Sequence, residues 1–326
     1  MKMAKIIGTG SYLPDKILTN KDLEKMVDTS DEWITKRTGI KERRIASENE
    51  ASSDLGVKAA KKAVQDAGID VQEIDLVICA TVTPDMIFPA TACLIQKKLG
   101  IKKTAAFDVE AACTGFITGL KIAEDMIKAE GVKNVLVVAS EVLSRVTDWE
   151  DRSMCVLFGD GAGAAVLTLS DNSEGIISSD LGAEGKYGNL LKIPAGGSAL
   201  PTSVDTVEKR LHFMQMRGKE VFKIAIKKMT QSARTSLKKA DMSIDDVRMV
   251  IPHQANMRII KALAKTLRVE MDRVYVNISK YGNMSAATTA IGLDDVRRKK
   301  LALPGEVIEI VAFGGGLTWG SMVVRI

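Results

Sequence analysis

Aromatic residues are scarce in this chain, 4% of 326 residues, and histidine is scarcer still, with only His212 and His253. Few aromatics, a net charge of only +5 and no run combining aromatic with basic residues argue against a nucleic-acid partner. No apolar run reaches membrane-spanning length, and Met1-Lys-Met-Ala-Lys-Ile-Ile-Gly8 has neither the apolar stretch nor the cleavage site of an export signal. A cytoplasmic protein with no membrane partner is expected. The four cysteines, Cys79, Cys93, Cys113 and Cys155, form no CxxC pair and have no histidine at metal-ligand spacing, so neither a metal site nor a disulfide framework is expected. Any mechanism that needs an imidazole has two candidates.

What the chain has instead is aliphatic mass. Hydrophobic residues make up 46% of it, carried by Ala, Val, Ile, Leu and Met, which predicts a layered α/β interior. The periodicity predicts a strand at 4–8 with a loop at 9–14, a helix opened by Thr19-Asn20, and a capped segment at 28–34. A long helix follows from Ser52/Ser53 to Ala67, then a strand at 74–81, a helix at 89–99 and a strand at 104–109. A helix at 115–127 and a strand at 134–139 complete the run. The glycines of 158–169 precede a strand rather than open a helix, which removes the helix N-terminus that a dinucleotide site needs. Beyond the turn-rich stretch 171–175 the order repeats: strand 247–252, helix 256–267, strand 274–279, helix 285–297, strand 307–313. A duplicated α/β unit is predicted, with halves 1–171 and 172–326. In that alignment Asn283 falls on the turn equivalent to the one holding Cys113, and Phe158-Gly-Asp-Gly corresponds to Phe313-Gly-Gly-Gly.

Cys113 lies where strand 104–109 turns into helix 115–127, with two alanines before it and Thr114-Gly115 after it. From its position alone it reads as one more small buried hydrophobe. As a nucleophile it gains from the helix N-terminus, which is expected to lower a thiol's pKa. Three polar stretches of the second half stand on loops: His253 at a strand end, Asn283 between Gly282 and a helix, and the glycines 314–316. A Cys, a His, an Asn and a loop with free amides are what acyl transfer through a thioester requires. Trp33 and Arg37, four apart, share a face if that segment is helical, as a surface pair or as part of a site.

The stretches AACTGF (111–116), IPHQANMRI (251–259), YGNMSAAT (281–288) and AFGGGLTWGS (312–321) resemble, almost letter for letter, those of the β-ketoacyl-acyl carrier protein synthase III family, within the thiolase superfamily. The resemblance extends to DTSDEWITKRTGIKERRI (28–45) and MRGKEVFK (216–223), so it covers the chain end to end; Tyr281 stands where some members carry histidine. It implies an α/β, thiolase-like α-β-α-β-α layered fold of two duplicated halves. It also implies the initiating condensation of an acyl-CoA with malonyl-acyl carrier protein in type II fatty acid synthesis, with no cofactor beyond these substrates. By the same resemblance Cys113 takes the acyl group, and His253 with Asn283 binds the thioester carbonyl of malonyl-carrier protein. The amides of Cys113 and Gly315 form an oxyanion hole. Trp33, Arg37 and Arg152 clamp the CoA adenine, and Asn256 holds the pantetheine arm. Lys223, Gln254, Arg258 and Lys265 dock the acidic carrier protein, and Phe88 enters the acyl pocket of the neighbouring subunit of a homodimer.

Rival readings remain at this stage. A condensing enzyme of a polyketide or quinolone pathway would keep the same Cys, His and Asn. A thiolase would need a second cysteine in the glycine loop, which has none, and a hydroxymethylglutaryl-CoA synthase would need a glutamate, for which Glu110 is a weak candidate. A retired scaffold subunit would have lost one of the three.

Overall fold

The computed structural model describes residues 3–129, 131–170 and 174–326, so the boundary expected at 171/172 lies outside the described residues. In chain order the strands are β1 (Met3–Tyr12), β2 (Lys16–Thr19), β3 (Glu42–Ile45), β4 (Leu76–Ala80), β5 (Ala105–Val109), β6 (Val135–Val142), β7 (Asp160–Ser170), β8 (Gly175–Ala183), β9 (Leu191–Lys192), β10 (Gln215–Met216), β11 (Val247–Pro252), β12 (Val307–Gly314) and β13 (Thr318–Arg325). The helices are α1 (Asn20–Leu23), α2 (Asp31–Thr38), α3 (Ser52–Ala67), α4 (Thr91–Leu99), α5 (Gly115–Lys128), α6 (Val204–Glu208), α7 (Gly218–Lys239), α8 (Met257–Leu267), α9 (Ile278–Tyr281) and α10 (Ala287–Arg298).

Two main sheets carry the fold, ordered β1-β7-β6-β4-β5 and β8-β13-β12-β11. Four strands of each sheet pair alike, with β5 the extra strand of the first: β4 and β6 are parallel as are β11 and β12, while β6-β7-β1 and β12-β13-β8 are antiparallel. Helices α5 and α10 lie between the sheets, where Phe116, Leu120 and Ile291 pack with Ile78, Val137 and Ile310. Helix α3 covers the outer face of the first sheet, and α7 and α8 cover that of the second. Strands buried on both faces need apolar side chains on both, which is why 135–139 reads as an unbroken aliphatic run and 307–313 as an apolar one interrupted only by Glu309.

Local chemistry moves several boundaries. The loop expected from Thr9 is strand as far as Tyr12, because β7 pairs with it along its length. Helix α3 has Ala51 at its N-cap, with no side chain to cap it, since the Ser52 and Ser53 hydroxyls are spent on Thr83 O and Asp85. The expected strand at 274–279 shrinks to one bridge, Val250 with Val274. Its polar backbone is diverted to the side chain of Gln254, which donates to Tyr275 O (3.1 Å) and accepts from the amides of Asn277 (3.1 Å) and Ile278 (3.2 Å). The proposed match of Phe158 with Phe313 also fails: Phe313 is within β12, whereas Phe158 precedes β7, and it is Val142 and Gly314 that end equivalent strands.

Candidate active site

Cys113 occupies a 3-10 turn, Ala112–Thr114, between β5 and α5. Ala112 holds a left-handed φ of 45, a conformation that an alanine adopts only where the surroundings enforce it. Two threonines do so. Thr114 Oγ1 donates to Ala111 O (2.7 Å) and lies 3.0 Å from Thr318 Oγ1, which itself reaches Ala111 O (3.2 Å) and Gly315 O (3.1 Å). The glycine loop is thereby tied to the thiol turn. The approach is so close that a methyl group on Gly314 would stand 2.5 Å from the Cys113 nitrogen, so only glycine fits.

His253 leaves the end of β11 with its amide on Val311 O (2.8 Å) and is 2% exposed. Its Nδ1 lies 2.6 Å from Thr288 Oγ1, and that hydroxyl lies 2.8 Å from Ser285 O. Thr288 has one hydrogen to give. Directed to Ser285 O, it leaves the ring hydrogen on Nδ1; directed to Nδ1, it leaves that hydrogen on Nε2, so both tautomers are supported. Burial pushes His253 down to about 3, which keeps the ring neutral. Asn283 Oδ1 accepts the Ser285 amide (2.9 Å), which fixes the flip of the carboxamide and leaves Nδ2 as the free donor. Its backbone is clamped between Leu157 O and the Gly159 amide, both at 2.9 Å.

The thiol itself departs from expectation. Burial pushes Cys113 up to about 12, and the nearby charge of Glu141 adds to the rise, against weaker help from Ser285 and from the amide of Cys113. Desolvation therefore outweighs the lowering expected from the helix N-terminus in the resting site.

Cys113, His253, Asn283 and Gly315 line one cavity of about 1500 Å³. Trp33, Arg37, Asn256, Arg258 and Lys223 line it too. The Arg37 and Arg152 guanidiniums stand 4.7 and 4.9 Å from the Trp33 ring centre. Asn256 caps α8 through the Arg258 amide (2.8 Å) and donates to Arg37 O (3.1 Å), which joins the cation to the helix. Arg258 packs over Phe222, and Lys223, Arg258 and Lys265 are all exposed, with Lys265 outside the cavity. Gln254 must be removed from the docking set. It is 0% exposed, with both ends of its amide bonded to backbone, so no partner can touch it. Phe88 is 82% exposed and does not line its own chain's cavity, although its neighbour Ile87 does. His212 bonds Thr206 (3.0 Å) and does not line the cavity. Glu110 is exposed at the cavity wall; the buried carboxyl is Glu141, which sequence reasoning missed. Its signal was a charged residue closing the otherwise uncharged run of β6.

The chain matches the family descriptions 3-oxoacyl-[acyl-carrier-protein (ACP)] synthase III over residues 107–185 and its C-terminal counterpart over residues 237–326. A β-ketoacyl-[acyl-carrier-protein] synthase III from Caldanaerobacter subterraneus subsp. tengcongensis is 54% identical over 322 residues, 99% of this chain and 97% of that one. The crystal structure of 3-oxoacyl-[acyl-carrier-protein] synthase III from Aquifex aeolicus matches with a TM-score of 0.92 at 48% identity, covering 99% of this chain and 100% of that one. The priming β-ketosynthase of the R1128 polyketide pathway matches with a TM-score of 0.92 at 36% identity, covering 98% and 95%. Matches of this length and identity, meeting a thiol, an imidazole and an oriented carboxamide in one cavity, place the chain in the β-ketoacyl-acyl carrier protein synthase III family, thiolase-fold condensing acyltransferases that initiate type II fatty acid synthesis.

Proposed function

We propose that this protein condenses a short acyl-CoA, such as acetyl-CoA, with malonyl-acyl carrier protein to give a 3-oxoacyl-carrier protein, CoA and carbon dioxide. The observation that supports it most is the orientation of Asn283, whose Nδ2 is left as a donor in the cavity that Cys113 and His253 share. Cys113 Sγ attacks the acyl-CoA carbonyl, and the amides of Cys113 and Gly315 hold the oxyanion. CoA leaves along the mouth, its adenine against Trp33, Arg37 and Arg152 and its pantetheine arm beside Asn256.

Malonyl-carrier protein then enters. As the malonyl carboxylate leaves as carbon dioxide, its bonding electrons form an enolate on the thioester, and that oxygen takes hydrogen bonds from Asn283 Nδ2 and from Nε2 of His253. Nε2 carries the hydrogen when Thr288 donates to Nδ1. A neutral ring suits this task, since a donor that stays protonated needs no proton supply in the step. The carbanion attacks the acyl carbon on Cys113, the bond from that carbon to Sγ breaks, and Cys113 leaves as the thiolate, which takes up a proton from solvent. No cofactor enters the scheme. Lys223, Arg258 and Lys265 offer the acidic carrier protein a basic surface, and Phe88 serves a second subunit in a cytoplasmic homodimer.

The test is purified protein with malonyl-carrier protein and acyl-CoAs of about two to eight carbons, straight and branched, the products identified by mass. Acyl transfer to Cys113 followed by a 3-oxoacyl-carrier protein is the expected result. Acylation without condensation onto this carrier protein would instead favour an acceptor like that of the priming β-ketosynthase of the R1128 pathway, to which the chain is 36% identical. An acyl group mapped to Cys79, Cys93 or Cys155 would sink the assignment of the nucleophile.

A further inference from the structure

Behind the thiol lies a carboxyl that the condensation as described does not use. Glu141, near the end of β6, is 0% exposed. Its Oε2 accepts from Thr83 Oγ1 (2.8 Å), the Val82 amide (3.1 Å) and Thr81 Oγ1 (3.3 Å). Its Oε1 is sealed from solvent and has no partner. A second buried polar atom without a regular hydrogen bond is Ser285 Oγ, on the turn before α10. Ser285 shares the cavity wall with Cys113, and its hydroxyl is near enough to the thiol and to the Glu141 carboxyl to favour the anion of each. Both atoms are buried and unpaired in the resting site, a costly arrangement unless each finds a partner during the reaction. Ser285 is moreover held there at a left-handed φ of 46, which its neighbours must enforce.

We propose that Glu141 and Ser285 form a proton relay for Cys113: as the thiol attacks acyl-CoA, its hydrogen passes to Ser285 Oγ while the Ser285 hydrogen passes to Glu141 Oε1. The proposal rests on the reading of Cys113 as the acylated nucleophile. The bond formed is Sγ to the acyl carbon, and the bond broken is the acyl carbon to the CoA sulfur. The relay runs in reverse as the CoA thiolate leaves, so the proton ends on the CoA thiol and the site has the same charge before and after. Throughout, the buried pocket holds one negative charge, first on the carboxylate and then on sulfur.

Alternatives are weaker on physical grounds. His253, pushed down to about 3, is a poor acceptor for a thiol proton, whereas burial pushes Glu141 up to about 7, a value suited to taking and returning one. The titratable groups that feel Glu141 are the thiols of Cys113 and of Cys79 on β4, and Cys79 also faces Asp85 and Asp108. Its remaining neighbours, Thr81, Thr83 and Ser285, are uncharged hydroxyls. Glu141 does not touch substrate, so it is a positioning residue that acts through Ser285.

The experiment follows two reactions of Cys113 against pH: alkylation by iodoacetamide, and single-turnover acylation by acetyl-CoA, both read by mass on the mapped peptide. In the parent both rates should rise as pH passes through about 7, where Glu141 becomes a base. Glu141→Gln, nearly the same shape, should lose that inflection and acylate on the order of a hundredfold more slowly. Ser285→Ala should do the same with the carboxyl still present. Acyl-enzyme formed by long incubation of Glu141→Gln should then condense with malonyl-carrier protein within about twofold of the parental rate, because the relay belongs only to the first half-reaction. Parental rates and pH profile in both variants would overturn the relay, as would an equal fall in both half-reactions together with a lower melting temperature. A parent that alkylates normally at Cys113 but takes no acyl group from any acyl-CoA would instead refute the proposed function, with the iodoacetamide profile still reporting on the relay.

Discussion

Ala112 and Ser285 share a left-handed backbone, φ 45 and φ 46, shortly before the two helices that fill the space between the sheets. Seven residues after each stands a glycine packed against a strand, Gly119 on Val137 and Gly292 on Ile251. This sets the register of the two turns. Cys113 corresponds to Ala286, and Asn283 to Glu110, so the duplication brings equivalent turns together while the residues that act are three positions apart. The difference is instructive. One turn carries a thiol just after its left-handed residue; the other carries a carboxamide two positions before its own and, at that residue, the Ser285 hydroxyl. On the proposed function the two halves divide the labour, bond-making on one side and charge stabilisation on the other.

The harshest way to break that comparison is to move the thiol. Cys113→Ala should abolish acyl-enzyme formation, and adding Ala286→Cys should not restore it, because Ala286 is fully buried and does not line the cavity. Intact-mass measurement after incubation with acyl-CoA decides the matter, and an acyl adduct on the double variant would show the turns to be interchangeable. Next comes Asn283→Ala, which removes one enolate donor. It should slow decarboxylation by about a hundredfold, on the order of 3 kcal/mol, while Cys113 still acylates. Release of labelled carbon dioxide at the parental rate would reduce Asn283 to a residue that merely ties the 157–159 backbone. Thr288→Val is milder. It strips Nδ1 of its partner and blurs the tautomer of His253, so condensation should fall about tenfold, and Thr288→Ser should recover it. Equal rates in the Val and Ser variants would mean that the tautomer is set elsewhere.

Much of this was legible in the sequence because it is periodic or punctuated. The largely apolar runs of β6 and β12, the glycine stops at Gly68 and Gly100, and the polar stretches around Cys113, His253 and Asn283 all announce themselves. What stayed hidden depends on contacts distant in sequence. Gln254 looks like a surface residue beside a helix cap, yet it replaces part of a strand's hydrogen bonding some twenty residues away. The thiol's environment was misjudged because a helix N-terminus is visible in sequence and burial by the opposite half is not. Thr114, Thr288 and Thr318 are ordinary letters until the fold sets them against Ala111, His253 and Gly315.

The smallest effect on turnover is expected where the duplication offers a second buried glutamate. Glu309 lies on β12, the strand equivalent to β6, but faces α7 rather than the cavity: Oε1 accepts from Ser236 Oγ (2.9 Å), and Oε2 is sealed without a partner. Burial pushes it up to about 8, from an ordinary value of 4.5. A carboxyl raised in this way favours the fold most while it is protonated in both states. Its contribution is therefore fully present below pH 4.5 and is lost as pH rises toward 8, because the unfolded chain releases the proton first. At pH 7 that loss is on the order of 3 kcal/mol. Glu309→Gln cannot titrate, so the stability difference between variant and parent should move in the variant's favour by about that amount between pH 4 and pH 7, read from urea midpoints across the range. The slope is the readout, since the glutamine's own unpaired amide hydrogens add a cost that does not change with pH. Acylation and condensation should be unaltered. A parallel stability profile in the two proteins would mean that Glu309 is ionised in the fold, and a loss of acylation would mean that buried carboxyls on both strands, not Glu141 alone, bear on the thiol.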